Sequence, residues 1–278
     1  MACIKYWITR TKLGLKAILL AGGLGTRAKP FTEYCPKVMF PLNGRPVIDY
    51  VVRFLARFSL VTEIIIVCAF DNFGKQIINY FEGKESIIGK SIIFVQDKNN
   101  GTGGSLLGVK DHLGQDKYFL LWFADNLCAL KLDDVVEQYK QVNTMREESI
   151  GIVVVRKRRR EETGRVILEN RHIDDKCRIK SFMEKNIVEL EQPEALGIYL
   201  FSTRIFQHLQ EKIEEGLLSF NLSSDILVQL PESEILFSYD IGDEIEWIDA
   251  ESPAYIDRNK DIVEKILLQM DSVYDIKG

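Results

Sequence analysis

No two cysteines of this chain stand close enough to form a CxxC pair. The five (Cys3, Cys35, Cys68, Cys128, Cys177) are widely spaced. That excludes a disulfide framework or structural zinc site and suits the reduced thiols, mostly small buried hydrophobes, of a cytoplasmic protein. No apolar run reaches the ~20 residues of a membrane span. Met1 to Gly14 carry three basic groups but lack the apolar core of a secretory signal. A strongly positive balance is lacking too: formal net charge is −5, which argues against a general nucleic-acid binder, because phosphate-backbone affinity needs clustered cations. Internal repeats and low-complexity segments are absent, and no G-x-x-x-x-G-K-[ST] loop occurs. Histidine is scarce, three in 278 residues (His112, His172, His208); none falls in a recognisable constellation, and each reads as a surface or packing residue.

What is present is an ordinary globular balance, 46% hydrophobic and 28% charged, in a chain long enough to bury a core without staples. Five short apolar runs are rich in β-branched or aromatic residues and bounded by turn signals: KAILLA (16–21), EIIIVCA (63–69), SIIFVQ (91–96), YFLLWFAD (118–125) and SIGIVVV (149–155). Such runs suit strands buried on both faces of a parallel sheet. Helical patterns alternate with them at 46–58, 72–81, 104–113 and 132–142, which implies βαβ units and a sheet covered on both sides. Beyond residue 156 the rhythm changes. GRVILEN (164–170) and RIKSFMEK (178–185) predict a hairpin, GIYLFS (197–202) a strand, RIFQHLQEKI (204–213) a helix, IEWIDA (245–250) a short strand and 255–270 one amphipathic terminal helix. The expected architecture is one mixed α/β domain over 16–278, with a nucleotide-binding half to about residue 150 and a smaller substrate half from 151. Residues 1–15 read as an N-terminal extension or as a start placed too early.

The strongest local signal is LAGGLGTRAKP (20–30), directly after the first strand. Gly22, Gly23 and Gly25 let backbone approach a ligand closely, and loops at the carboxyl ends of parallel strands are where open α/β sheets bind ligands. GLGTRA (23–28) also fits the dinucleotide pattern G-x-G-x-x-A. That fingerprint needs a helix beginning within the loop, and Pro30 and Pro36 follow too soon, since an interior proline removes a backbone bond and clashes with the preceding turn. The segment through Pro41 is therefore expected to be an extended loop. It carries cations, Arg27, Lys29 and Lys37. Arginine presents a planar fork to phosphate oxygens and lysine a mobile point charge, so the loop can grip different phosphates of a triphosphate.

LAGGLGTRAKPFT followed by PKVMFPLNGRPVIDY resembles the sugar-phosphate nucleotidyltransferases, or nucleotide-sugar pyrophosphorylases, whose signature is L-x-G-G-x-G-T-R, then P-K-x-[ML]-x-P and G-[RK]-P. The likeness continues at Gln96, GTGGSL (101–106), FADN (123–126), TGRV (163–166), FMEK (182–185), GIYLF (197–201) and WIDAESP (247–253), nearly the whole chain from Lys16. It implies a Rossmann-like fold, a mainly parallel mixed sheet sandwiched by helices with a small β-rich sugar-binding half. It also implies transfer of a nucleoside monophosphate from an NTP to a sugar 1-phosphate, with release of pyrophosphate. By the same resemblance Leu20, Ala21, Gly22 and Gly23 hold the nucleoside, and Gln96 and Gly101 read the base edge. Gly25, Thr26 and Arg27 wrap the phosphates, Lys37 neutralises charge at the reacting phosphates, and Asp125 and Asp249 hold Mg²⁺. Gly164, Glu184 and Lys185 surround the sugar phosphate, Lys185 nearest the phosphate. A sugar phosphate is already ionised at neutral pH, so no general base is required; charge neutralisation and alignment are what the protein must supply. Relatives often assemble as homo-oligomers.

Departures from the pattern bear on the sugar more than on the reaction. Ala124 replaces the glycine before the metal aspartate, a change expected to tighten the pocket; Ala195-Leu196-Gly197-Ile198-Tyr199 stands for N-A-G-I-Y, Asn186 ends E-K-P, and Asp249 to Pro253 reads DAESP for D-x-G-T-P. Asp243, Glu244, Glu246 and Glu251 crowd around Asp249, and only the W-x-D match singles it out. RKRRREE (156–162) reads as a solvated loop balanced by its own glutamates rather than a nucleic-acid patch. Asp225 suits either a sugar contact or a helix N-terminus. Both GDP-mannose-type and UDP- or dTDP-glucose-type products fit, as does a non-catalytic nucleotide-sugar-binding regulatory paralogue. No β-helix extension follows the terminal helix, so a bifunctional acetyltransferase is not expected.

Overall fold

The computed structural model describes residues 14–23, 25–145, 149–157, 165–173, 176–183, 192–230 and 233–272. The first series of elements is β1 (Leu15–Leu20), β2 (Pro41–Leu42), β3 (Arg45–Pro46), α1 (Val47–Ala56), β4 (Val61–Cys68), α2 (Gly74–Phe81), α3 (Glu85–Ile88), β5 (Ser91–Gln96), α4 (Gly101–Leu107) and β6 (Tyr118–Phe123). The second is β7 (Asn126–Cys128), α5 (Leu132–Met145), β8 (Ser149–Arg156), β9 (Arg165–Ile173), β10 (Lys176–Met183), β11 (Glu194–Ser202), α6 (Ile205–Glu214), β12 (Ile235–Asp240), β13 (Trp247–Asp249), α7 (Pro253–Arg258) and α8 (Lys260–Ser272).

Nine strands share one sheet in the order β5-β4-β1-β6-β11-β8-β12-β10-β9. β5, β4, β1 and β6 are mutually parallel, the Rossmann-like arrangement expected. Sequence neighbours step away from β1 on one side, and β6 starts again on the other. Such a switch point opens a crevice beyond the carboxyl ends of the strands. Two-sided burial explains the uninterrupted apolar runs. Ala17 and Leu19 of β1 pack in one core with Ile64, Ile66 and Trp122; Ile18 packs in the other with Ile65, Phe119 and Leu121. Because strand side chains alternate between faces, a polar residue at any of these positions would face a core. α1 covers the first face, burying Val47, Ile48, Val51, Val52, Phe54 and Leu55, each worth about 1.5–3 kcal/mol when fully buried.

β11 joins the halves by pairing antiparallel with β6 on one side and β8 on the other. The predicted hairpin is present as β9 and β10, and β9 returns to touch β11 at Arg165 and Glu194. β12 was not expected. It inserts between β8, to which it is parallel, and β10. The expected terminal helix is two helices: Ser252 caps α7 by accepting from the Tyr255 N–H at 3.2 Å, and the chain leaves the helical region at Asn259 before α8. The loop after β1 is not extended. It coils through three 3-10 turns, Thr26–Ala28, Phe31–Glu33 and Lys37–Met39, so the prolines exclude a continuous helix without straightening the chain. Cys68 and Cys128 are buried free thiols and Cys35 is half-buried. Among the described residues no helix is long and apolar enough to cross a membrane.

Candidate active site

At the β1/β6 switch point lies a cleft of roughly 320 Å³, lined on one side by Leu20, Ala21, Gly23, Gly25, Thr26 and Arg27 and on the other by Thr102, Phe123, Asp125 and Glu251, with Lys37 between. The three glycines of the loop answer different demands. A β-carbon on Gly22 would collide with the Asp97 carboxylate, one on Gly25 (φ +57°) would lie 2.6 Å from Thr32 Cγ2, and one on Gly23 would meet nothing within 4 Å. Gly25 is therefore required by the turn and Gly22 by packing. Only Gly23 leaves its space open to a ligand. Thr32 Oγ1 donates to the Gly25 carbonyl at 2.9 Å and fixes the turn.

Asp125 and Asp249 come together from the middle and from near the end of the chain. β6 delivers Asp125, and the buried Trp122 indole N–H donates to the Asn126 carbonyl at 2.9 Å, which holds the turn between them. β13 pairs antiparallel with β7, setting Asp249 against Asn126, and the Ala250 N–H donates to the Asp125 carbonyl at 2.8 Å. Lys37, on the third 3-10 turn, then donates to Asp125 Oδ2 at 2.7 Å and to Asp249 Oδ1 at 2.8 Å. Bonds of this length between an ammonium and carboxylates are charge-assisted.

One ammonium shared by two carboxylates leaves the cluster one negative charge in excess. Burial pushes the Asp249 carboxyl up to about 6, the Asp125 charge adds to that, and Lys37 only partly offsets them. For Lys37, burial works to lower the pKa, but Asp125 and Asp249 outweigh it and hold the ammonium at about 12. The pair is thus short of positive charge. Glu246 is engaged elsewhere: it accepts from Arg156 Nη1 and Lys265 Nζ, each at 2.9 Å, anchoring the start of β13 to β8 and α8.

Residues 16–265 match the nucleotidyl transferase family. The chain belongs to that family. It is 28% identical over 237 residues to a bifunctional protein GlmU of Methanococcus vannielii, covering 82% of this chain and 50% of that one. To a UTP–glucose-1-phosphate uridylyltransferase of Synechocystis sp. it is 26% identical over 263 residues, covering 84% and 60%. The chain therefore spans half to three fifths of the length of these relatives. Among solved structures, a putative glucose-1-phosphate thymidylyltransferase from Bacillus anthracis superposes with a TM-score of 0.75 at 22% identity, over 93% of this chain and 96% of that one. A UDP-glucose pyrophosphorylase complexed with UDP-glucose gives 0.67 at 21% identity, over 95% and 100%. At these identities the likeness is one of fold.

Set against the family pattern, the fold brings Leu20, Ala21, Gly23, Gly25, Thr26, Arg27, Lys37 and Asp125 to one cleft, with Asp249 joined to it through Lys37. Gly22 lines a neighbouring cleft instead, with Asp71, Phe73 and Asn99. Gln96 is exposed at the end of β5, and neither it nor Gly101 is part of the first cleft's lining. Gly101 (φ +78°) has a packing reason of its own, since a β-carbon there would meet the Phe220 carbonyl. Gly164, Glu184 and Lys185 lie outside the described residues, as do 158–162 of the basic run. Asp225 Oδ2 accepts from the Asn221 N–H at 2.6 Å, a turn-capping role. Ala124 is fully buried in the main core, so its methyl does not narrow the cleft; that expectation was wrong. Thr102, Phe123 and Glu251 line the cleft without having been given a role there, although each lies within a motif that carried the resemblance, GTGGSL, FADN and WIDAESP.

Proposed function

We propose that the chain transfers a nucleoside monophosphate from a nucleoside triphosphate to a sugar 1-phosphate, releasing pyrophosphate. The observation that carries this reading is the convergence of Lys37, Asp125 and Asp249 beside the glycine loop. In-line attack of one phosphate on another brings anion to anion, so neutralisation and alignment are what the protein must provide. Arg27 and Lys37 supply cations along the loop, and Gly23 leaves its backbone open to the triphosphate. Asp125 and Asp249 fit Mg²⁺. Both are oxygen donors, they converge on one cation, and they lack positive charge. Among the described residues no third His, Cys, Asp or Glu completes a cluster with them, which suits an ion that keeps waters and substrate phosphates as its other ligands. When bound, the ion would screen the phosphate charge at the reacting phosphorus. Gly164, Glu184 and Lys185 would hold the sugar phosphate from the second half of the domain, the first half holding the nucleotide.

The relative named for uridylyl transfer from UTP to glucose 1-phosphate favours a pyrimidine triphosphate with a hexose 1-phosphate over GTP with mannose 1-phosphate. The test is pyrophosphate release by purified protein with Mg²⁺ across UTP, dTTP, CTP and GTP against several sugar 1-phosphates. Folded protein that turns over no pair would refute the transferase and leave the regulatory paralogue.

A further inference from the structure

Lys37 does something in this fold beyond facing phosphates. Its ammonium is bonded to Asp125 Oδ2 and Asp249 Oδ1 at 2.7 and 2.8 Å, and its side chain is only 16% exposed. An ion held between the two aspartates by these same two oxygens would occupy the space of the ammonium, so ion and ammonium compete for them. The backbone carrying Lys37 is fixed, because Val38 and Phe40 beside it are buried in the main core. The side chain is not fixed in the same way, since a four-carbon stem reorients readily. It also borders both the catalytic cleft and its neighbour, so open space adjoins it on either side.

We propose that Lys37 is the built-in counter-cation of the Asp125–Asp249 pair and that a divalent ion displaces it, swinging the ammonium into the cleft. The inference rests on the reading of the two aspartates as an ion site. Charge arithmetic gives it a consequence. With Lys37 in place, two carboxylates and one ammonium sum to −1. With a divalent ion in place the pair is neutral, and the displaced lysine brings +1 to the cleft. Ion binding thus makes the cleft receptive to polyanions, and by linkage a bound polyanion strengthens ion binding to the same degree. Without the ion, the site closes on itself instead of presenting two bare carboxylates to an incoming phosphate.

The test measures Mn²⁺ binding by calorimetry and electron paramagnetic resonance at pH 8, without nucleotide, for the wild type, Lys37→Met, Lys37→Gln and Asp125→Asn. Removing the competing ammonium is expected to tighten Mn²⁺ binding at least tenfold, about 1.4 kcal/mol. Metal-free Lys37→Met should also melt below the wild type and gain more from Mn²⁺ than the wild type does. Equal or weaker Mn²⁺ binding in both Lys37 variants would overturn the exchange. Asp125→Asn tests the underlying reading separately: if it binds Mn²⁺ as the wild type does, the aspartates are not the ion site. If it loses binding while the Lys37 variants show no gain, the ion site stands and the exchange alone fails.

Discussion

Gly22→Ala tests how the glycine loop is built. The added methyl would overlap the Asp97 carboxylate, with Asp97 Cγ only 2.6 Å away. Asp97 is buried, at 8% exposure, and accepts from Ser105 Oγ at 2.8 Å and the Asn99 N–H at 2.9 Å, so it cannot move aside without loosening the start of α4. Overpacking costs about 1–3 kcal/mol, and hydrogen bonds to a charged acceptor about 1.5–3 kcal/mol each. A loss of about 3 kcal/mol is therefore expected, roughly 6–12 °C in Tm at about 2–4 °C per kcal/mol. Asp97→Ala alone should lose about 3–6 kcal/mol from the same two bonds. The double variant should resemble Asp97→Ala, because the methyl then has nothing to strike, giving a coupling of about 3 kcal/mol. Gly23→Ala should stay within about 1 kcal/mol of the wild type, since its β-carbon meets no atom within 4 Å, yet weaken nucleoside triphosphate binding more than tenfold. Urea unfolding followed by tryptophan fluorescence and calorimetric titration read the two effects. Additive losses at 22 and 97, or a Gly23→Ala variant as unstable as Gly22→Ala, would refute the assignment of one glycine to packing and the next to ligand.

Other expectations follow from the site and its supports. Asp125→Asn and Asp249→Asn should each lower the rate of pyrophosphate release on the order of 10²-fold or more, about 2.7 kcal/mol of barrier, with circular dichroism unchanged; wild-type rates in either would contradict the proposed ion site. Ala124→Gly, which restores the family glycine, should destabilise by about 1 kcal/mol through loss of a buried methyl. It should leave KM for both substrates unaltered, as steady-state kinetics would show. Glu246 lies below its usual pKa because Lys265 and Arg156, by hydrogen bond and charge, outweigh the upward push of burial. Its contribution is therefore full above the unfolded value of about 4.5 and lost as pH falls through the lower folded value. The stability gap between the wild type and Glu246→Gln should accordingly be widest near neutrality and narrow below about pH 4.5 in denaturant titrations.

The parallel strands were legible because two-sided burial writes itself as unbroken apolar runs; SIIFVQ matches β5 at both ends, 91–96. β12 escaped notice because its partners, β8 and β10, are set by tertiary pairing rather than by an adjacent turn. The break at Asn259 was hidden because the apolar spacing continues through it, while the Ser252 cap and Pro253 that start α7 were in plain view. At the site, the glycine loop and its cations could be read from spacing. Asp249 could not, because five acids crowd that stretch; the W-x-D match singled it out, and the β7–β13 register sets it against Asn126, next to Asp125. That Gly22 and Gly101 also have packing reasons to be glycine was not legible, because a sequence does not show the Asp97 carboxylate or the Phe220 carbonyl standing against them.

The pairing of β13 with β7 also makes competence a late event in the life of the chain. Lys37 and Asp249 are 212 residues apart. A growing polypeptide displays the glycine loop and Asp125 long before the ribosome has made the second aspartate. Until β13 docks, the cleft holds one carboxylate and one lysine, a matched pair with no surplus negative charge to draw in a divalent ion. On the proposed function, a chain that lacks β13 lacks the second aspartate and would be inactive, because the pair is completed only when β13 docks on β7.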